Sequence, residues 1–229
     1  MTVTLCPTVL ATTPAEFTAR WRRITAVARN VQVDLMDGQF VPTRSIPLAT
    51  IPDVRDRRGN AFEAHLMVKD PERWAPSLIA KGFRRIIIHI ETISPVAFRA
   101  LAHNAHKSKA VLIAAINPQT PIKRLGPYLR SAKGICVLGV RPGHNGAPYV
   151  TRTPERVRAI RLLCALAGKR RPVQVDGGMT PMTIGAIVRA GAVRVNSGSY
   201  VGNATDPARA LDDLVKAARA AGARSVVIA

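Results

Sequence analysis

Cysteine, aromatic residues and acidic side chains are scarce in this 229-residue chain, and each scarcity excludes something. The three cysteines, Cys6, Cys136 and Cys164, are odd in number, far apart and without a CxxC pair. They suggest neither a disulfide framework nor a thiolate zinc site, and buried reduced thiols are expected. Aromatics make up 4% of the residues, with two Trp and three Tyr. That is too few for the base-stacking platforms of a single-strand nucleic-acid binder. No apolar run approaches the ~18 residues of a membrane span. Met1 to Leu10 form a short strand-like stretch with no basic leader, so a cytoplasmic protein is expected.

Fourteen acidic against 34 basic side chains leave a formal charge of +20. Such a field attracts phosphorylated metabolites, nucleic acid and acidic surfaces alike, without choosing among them. The basic residues include Arg20, Arg22, Arg23, Arg55, Arg57, Arg58, Arg84, Arg85, Lys169, Arg170 and Arg171. They fall mostly at expected helix ends and loops, with no RNP-like or zinc-finger pattern between them. Solvated basic faces therefore explain them better than a nucleic-acid partner.

Ala, Val, Ile and Leu supply most of the 47% hydrophobic content, alongside 16 Gly and 17 Pro. Short apolar runs alternate with helical periodicity along the whole length, the pattern of repeated βα units on a parallel sheet. Strands are expected at 3–5, 31–35, 62–67, 85–89, 110–116, 134–140, 173–175 and 193–196, each followed by a helix. Thr13-Pro14, Ser94-Pro95, Thr153-Pro154 and Thr180-Pro181 pair a capping oxygen with a helix-opening proline. No linker or low-complexity segment divides the chain. A single (β/α)8 TIM barrel over residues 1–229 accounts for the pattern, since such barrels take about 250 residues.

On that fold, polar residues collect at strand C-termini: Thr8, 32–37, His65, His89, Glu91, Asn117, Arg141 and Asp176. That rim is where such barrels keep their active sites. A carboxylate pointing into a barrel is costly unless it is paired or bound to metal, so Asp34 and Asp176 demand partners. Asp37 suits a turn cap. Asp34 and Asp176 leave well-separated staves and can face each other across the mouth, which suits a two-base proton transfer beside a carbonyl. His65, one strand from Asp34, is a further ligand or donor candidate. The glycines of RPGHNG after the sixth strand, Gly177 and Gly178 after the seventh, and Gly198-Ser199 after the eighth form a candidate phosphate cradle.

The ordered motifs CPTVLA (6–11), VDLMDGQFVPT (33–43), HLMVKDPERW (65–74), HIE (89–91), AINPQTP (115–121), VRPGHNG (140–146), VDGGMTPMT (175–183), and GA followed by NSGS (191–199) span nearly the whole chain. With these, the chain resembles the ribulose-phosphate 3-epimerase family. The resemblance implies inversion at C3 of a ketose phosphate, D-ribulose 5-phosphate to D-xylulose 5-phosphate, with Asp34 and Asp176 as the acid/base pair. It also implies a divalent ion (Zn, Mn, Mg or Fe) held by Asp34, His65 and Asp176, with Gln32 a further candidate, stabilising an enediolate. Thr8, Met36 and Met67 match substrate-side positions, and Gly143, Gly146, Gly177, Gly178, Gly198 and Ser199 the phosphate-binding backbone. A homo-oligomer is a further expectation.

Four departures accompany the match. Gln32 stands where the family has a ligating His; an amide oxygen is a weaker, harder ligand, which shifts preference from zinc toward magnesium or manganese, or leaves the site without metal. The family's PGFGGQ is PGHNGA here, with His144, Asn145 and Ala147 as the changes. Thr8 replaces Ser, and Leu138 a third Met. These changes keep open another ketose phosphate as substrate, or a non-catalytic barrel that binds sugar phosphate or a polyanion.

Overall fold

The computed structural model describes residues 1–56, 61–143 and 146–228. Arg57, Arg58, His144 and Asn145, singled out above, lie outside them. Eight parallel strands form the barrel: β1 (Thr2–Val9), β2 (Asn30–Met36), β3 (Ala61–Met67), β4 (Arg85–His89), β5 (Val111–Ile116), β6 (Gly134–Leu138), β7 (Val173–Asp176) and β8 (Arg194–Ser197). They are hydrogen-bonded in sequence order, and pairing of Thr8 with Gln32 and Val9 with Val33 between β1 and β2 closes the ring. The architecture matches the expectation from alternating βα units.

Among the described residues seven α-helices surround the strands: α1 (Pro14–Val27), α2 (Pro71–Ala80), α3 (Pro95–Lys107), α4 (Thr153–Leu166), α5 (Pro181–Ala190), α6 (Ser199–Gly202) and α7 (Pro207–Ala220). Among the described residues, the expected α-helix does not follow every strand. Among the described residues the β2–β3 connection holds only a 3-10 turn, Leu48–Thr50, and β5 is followed by a 3-10 helix, Ile122–Tyr128. Repeated proline disfavours an α-helix in both places, although α2 accommodates the single Pro76. Pro42, Pro47 and Pro52 punctuate the first segment and Pro127 sits inside the second, each removing a backbone N–H that an α-helix needs. A short ninth strand, β9 (Ser225–Val227), was not anticipated; it pairs with Thr2–Thr4 at the start of β1, below the point where β2 joins that strand.

Helix starts follow the capping signals with one correction. Thr13 and Ser94 accept from backbone N–H groups in the first turns of α1 and α3, and Thr180 forms a capping box with Thr183. Thr153 instead lies inside α4, after Arg152, and its hydroxyl donates to the Val150 carbonyl.

Outward-facing strand residues such as Val31, Val33, Leu35, Leu66, Ile86, Ile88, Val137 and Val175 join the helices in one continuous core. Inside the ring, Ile87, Ile113, Ala115, Cys136 and Leu138 pack as a separate apolar plug on the β4–β6 side. The β7, β8, β1, β2 and β3 side is filled by buried polar residues: Thr8, Gln32, Glu63, His65, Gln174, Asp176 and Asn196. All three cysteines are buried and unpaired, as expected. No helix among the described residues is long and apolar enough to cross a membrane.

Many of the arginines have structural partners. Arg23 donates to the Ala204 and Thr205 carbonyls, Arg84 to Ser108, Arg156 to Asn117 and Thr120, Arg161 to Ala190 and Arg171 to Leu129. Several of these carbonyls close a helix, where a cation also meets the negative end of the helix dipole. Part of the +20 charge thus clamps one βα unit to the next, which solvated faces alone do not describe.

Candidate active site

One cleft at the C-terminal mouth of the barrel gathers Thr8, Asp34, Met36, His65, Met67, Gly143, Gly146, Asp176, Gly177, Gly178, Gly198 and Ser199. Every site residue expected from sequence is there except Gln32, which lies beneath the others and is fully buried. Leu10, Leu138, Val140, Pro142 and Ala147 complete the wall. Asp37 lies outside the cleft and caps its turn, accepting from the N–H groups of Gln39, Phe40 and Lys69.

The carboxylates of Asp34 and Asp176 arrive from β2 and β7 and meet over Gln32. Its amide nitrogen donates to Asp34 Oδ1 and to Asp176 Oδ2, each at 2.8 Å. His65 Nδ1 lies 2.8 Å from Asp176 Oδ2 and 3.4 Å from Asp34 Oδ1. Burial drives the Asp34 carboxyl up to about 6, reinforced by the neighbouring Asp176 charge and opposed by His65 and Gln32. For His65, burial acts against the charged form, but the two aspartate carboxylates close to its Nδ1 outweigh it and raise its pKa to about 10.

A second chain of contacts fixes the imidazole from behind. Glu91 accepts from the Asn117 backbone N–H at 3.0 Å and from the Thr120 hydroxyl, and its Oε2 lies 3.4 Å from His89 Nδ1. Burial pushes Glu91 up, but His89, Thr120 and Asn117 together bring it down to about 2. An ionised Glu91 beside His89 Nδ1, close but not aligned for a hydrogen bond, favours the His89 proton on Nδ1, and His89 Nε2 then accepts from His65 Nε2, 2.9 Å away. The free electron pair of a neutral His65 then sits on Nδ1, facing two carboxylates. Although Asp176 Oδ2 is only 2.8 Å off, Nδ1 has no aligned hydrogen bond among the described residues. A proton or a cation must fill this place for the three groups to coexist.

That unaligned nitrogen leaves His65 able to take a metal, and two carboxylates stand beside it. Asp34, His65 and Asp176 each offer one ligand atom, all within 4.8 Å of one another. Two carboxylate oxygens and an imidazole suit a divalent transition-metal ion. Gln32 does not join them in this geometry, because it turns its nitrogen to the carboxylates while its oxygen accepts from Asn196 Nδ2 at 2.7 Å. The amide oxygen considered above as a ligand is therefore occupied elsewhere.

Lining the same cleft, Gly143, Gly146, Gly177 and Gly178 all have positive φ, between +71° and +100°. A Cβ on Gly178 would stand 2.6 Å from Tyr149 Cδ2, and one on Gly177 2.5 Å from Val140 Cγ2. Glycine is thus required there by both conformation and space. Gly198 and Ser199 lead into α6, a single turn.

The polar layer below the site was not singled out from the sequence as functional. Glu63 is fully buried; its Oε1 accepts from Gln174 Nε2 at 2.8 Å and Asn196 Nδ2 at 2.5 Å, and its Oε2 from Arg85 Nε at 2.9 Å. Arg194 Nε is 3.1 Å from the same Oε2 but lacks hydrogen-bond alignment, so it acts as a charge. Burial raises the Glu63 pKa, yet Arg194 and Arg85 outweigh it and hold it at about 2. A signal was available: Gln32, Glu63 and Gln174 each precede a mouth residue by two, the spacing that puts both on the inner face of one strand.

The chain is similar to known proteins along most of its length. A family model described as the ribulose-phosphate 3 epimerase family matches residues 4–202. The ribulose-phosphate 3-epimerase of Synechocystis sp. is 30% identical over 214 residues, 91% of each chain. That of Mycobacterium bovis is 31% identical over 192 residues, 83% of this chain and 82% of the relative. Among solved structures, a 3-hexulose-6-phosphate synthase superposes with TM-score 0.67 at 17% identity, covering 95% of this chain and 99% of that one. A thiamine phosphate pyrophosphorylase from Pyrococcus furiosus gives TM-score 0.64 at 13% identity, covering 96% of each. At such identities the structural likeness carries the barrel fold alone.

Proposed function

The chain belongs to the ribulose-phosphate 3-epimerase family, and from that premise we propose that it inverts C3 of D-ribulose 5-phosphate, using Asp34 and Asp176 as the two acid/base groups. The observation that carries the reading is the convergence of these carboxylates, from strands far apart in sequence, on one glycine-rimmed cleft.

One carboxylate takes the proton from C3, and the electron pair moves into the C2–C3 bond while the C2 carbonyl becomes an enediolate oxygen. The other returns a proton to C3 from the opposite face, giving D-xylulose 5-phosphate. The pair must therefore begin with one member protonated, and the raised pKa of Asp34 favours sharing a proton near neutral pH. Met36, Met67 and Leu138 form an apolar wall that limits water at the reacting carbon. Asp34, His65 and Asp176 would hold a divalent ion, which supplies Lewis-acid stabilisation of the charge developing on oxygen. Positive-φ glycines at 143, 146, 177 and 178, with Gly198 and Ser199, would bring backbone N–H groups to the phosphate.

The test is turnover of D-ribulose 5-phosphate in D2O by protein stripped of metal, then supplied with Zn, Mn or Mg in turn. Metal-dependent product with deuterium at C3 is expected, and Asp34→Asn should lower both turnover and exchange by at least about 10³-fold. Full exchange by that variant would sink the two-aspartate model. Turnover of another ketose phosphate in place of this one would move the substrate assignment while leaving the chemistry.

A further inference from the structure

We propose that Gln32 is a locked hydrogen-bond donor clasping the two acid/base carboxylates, its orientation dictated from beneath by Glu63 through Gln174 and Asn196. The clasp rests on geometry; only what the clasped carboxylates do rests on the epimerase reading.

An amide can present either end, so what matters is what forbids the turn. Arginine only donates and an ionised carboxylate only accepts. Arg85 Nη2 donates to Gln174 Oε1 at 2.9 Å, which leaves the Gln174 nitrogen to donate to Glu63 Oε1 and to Asn196 Oδ1, each at 2.8 Å. Asn196 must then direct its nitrogen at Glu63 Oε1 and at Gln32 Oε1. With its oxygen so engaged, Gln32 has only N–H groups left for Asp34, Asp176 and, at 3.3 Å, Thr8 Oγ1.

Turning Gln32 over would set its oxygen against two carboxylate oxygens and its nitrogen against that of Asn196. Turning Asn196 as well would press its oxygen on Glu63 and its nitrogen on Gln174. Turning Gln174 too would bring its nitrogen against Arg85. Each correction passes the conflict down to a charged group that cannot change roles, so the whole relay has one orientation. Every member is buried apart from Arg85, so water is poorly placed to substitute for a lost partner.

The clasp bears on the metal. Asp34 Oδ1 and Asp176 Oδ2, the oxygens that Gln32 holds, are also the ones nearest His65 Nδ1. An NH2 group aimed at them opposes a cation at that place, whereas an amide oxygen would favour one. Gln32 thus keeps the carboxylates together and lowers their affinity for a divalent ion, with Glu63, Gln174 and Asn196 as positioning residues behind it.

Two measurements on metal-stripped protein test this without using turnover. Free Mn2+ followed by electron paramagnetic resonance gives binding to the parent, Gln32→Met, Asn196→Ala and the double variant. Gln32→Met should bind about tenfold more tightly than the parent. Asn196→Ala should also tighten binding, by releasing the amide to turn, and should add nothing to Gln32→Met. Weaker Mn2+ binding by Gln32→Met would identify Gln32 as an oxygen ligand and overturn the proposal; equal affinity, including none in either protein, would overturn the role in metal tuning.

The second measurement uses the parent with 15N-labelled glutamine side chains. Of the four glutamines, Gln39 and Gln119 are exposed and Gln32 and Gln174 buried. Two NH2 pairs should resist solvent exchange, one of them vanishing in Gln32→Met or losing protection in Asn196→Ala. A single protected pair would overturn the clasp even if a variant fails to fold. Failure to epimerise D-ribulose 5-phosphate would count against the functional reading alone, since neither measurement depends on substrate.

Discussion

Glu63→Gln exchanges a carboxylate oxygen for an NH2 group at the most crowded polar position inside the barrel. The carboxylate accepts from Arg85, Gln174 and Asn196 and faces the charge of Arg194, with no exposure to water. An amide at position 63 leaves the two guanidinium groups without a counter-charge and sets its own NH2 against either them or the two amide donors. Removing one partner of a buried ionic cluster costs about 3–5 kcal/mol. By contrast, the Lys216–Asp212 pair, though only 2.6 Å long, is exposed and screened by water, so its Asp212→Ala variant serves as the control. For a domain of this size each kcal/mol moves the melting temperature by about 2–4 °C, so Glu63→Gln should lose roughly 6–20 °C and Asp212→Ala no more than about 2 °C. Thermal unfolding by circular dichroism, checked against the guanidinium midpoint, reads the difference. Equal melting temperatures for the two variants would refute the claim that Glu63 anchors the polar layer.

Gly178→Ala places a methyl group on a residue at φ +71° and against the Tyr149 ring, so it should raise the KM for a phosphorylated substrate about tenfold while kcat changes less; an unchanged KM would remove Gly178 from the phosphate cradle. Glu91 has its pKa lowered to about 2 on folding, so its stabilising contribution is complete above its unfolded value of about 4.3 and is lost as pH falls toward 2. The stability gap between the parent and Glu91→Gln, measured by urea unfolding, should therefore be constant from pH 7 to 5 and shrink between pH 4.5 and 2. A gap that widens on acidification would contradict the His89–Glu91 assignment.

Much of this protein follows from local rules that act on the sequence alone. Apolar runs of strand length between helical segments, with Thr13, Ser94 and Thr180 capping before prolines, specify βα units, and a chain of this length with eight of them closes a barrel. Asp34, His65 and Asp176 were legible because ionisable residues at strand ends need partners, and their motifs carry the family. Prolines decide the connections after β2 and β5, where the periodic expectation of α-helices gave way. Tertiary structure alone determined what Gln32 presents to the site. An amide has no intrinsic direction, and the choice between donor and acceptor was made by Arg85 and Glu63, residues 53 and 31 positions away, acting through Gln174 and Asn196. That arginine only donates and an ionised carboxylate only accepts follows from residue type; the orientation of a neutral dipole depends on which of these groups the fold brings within reach.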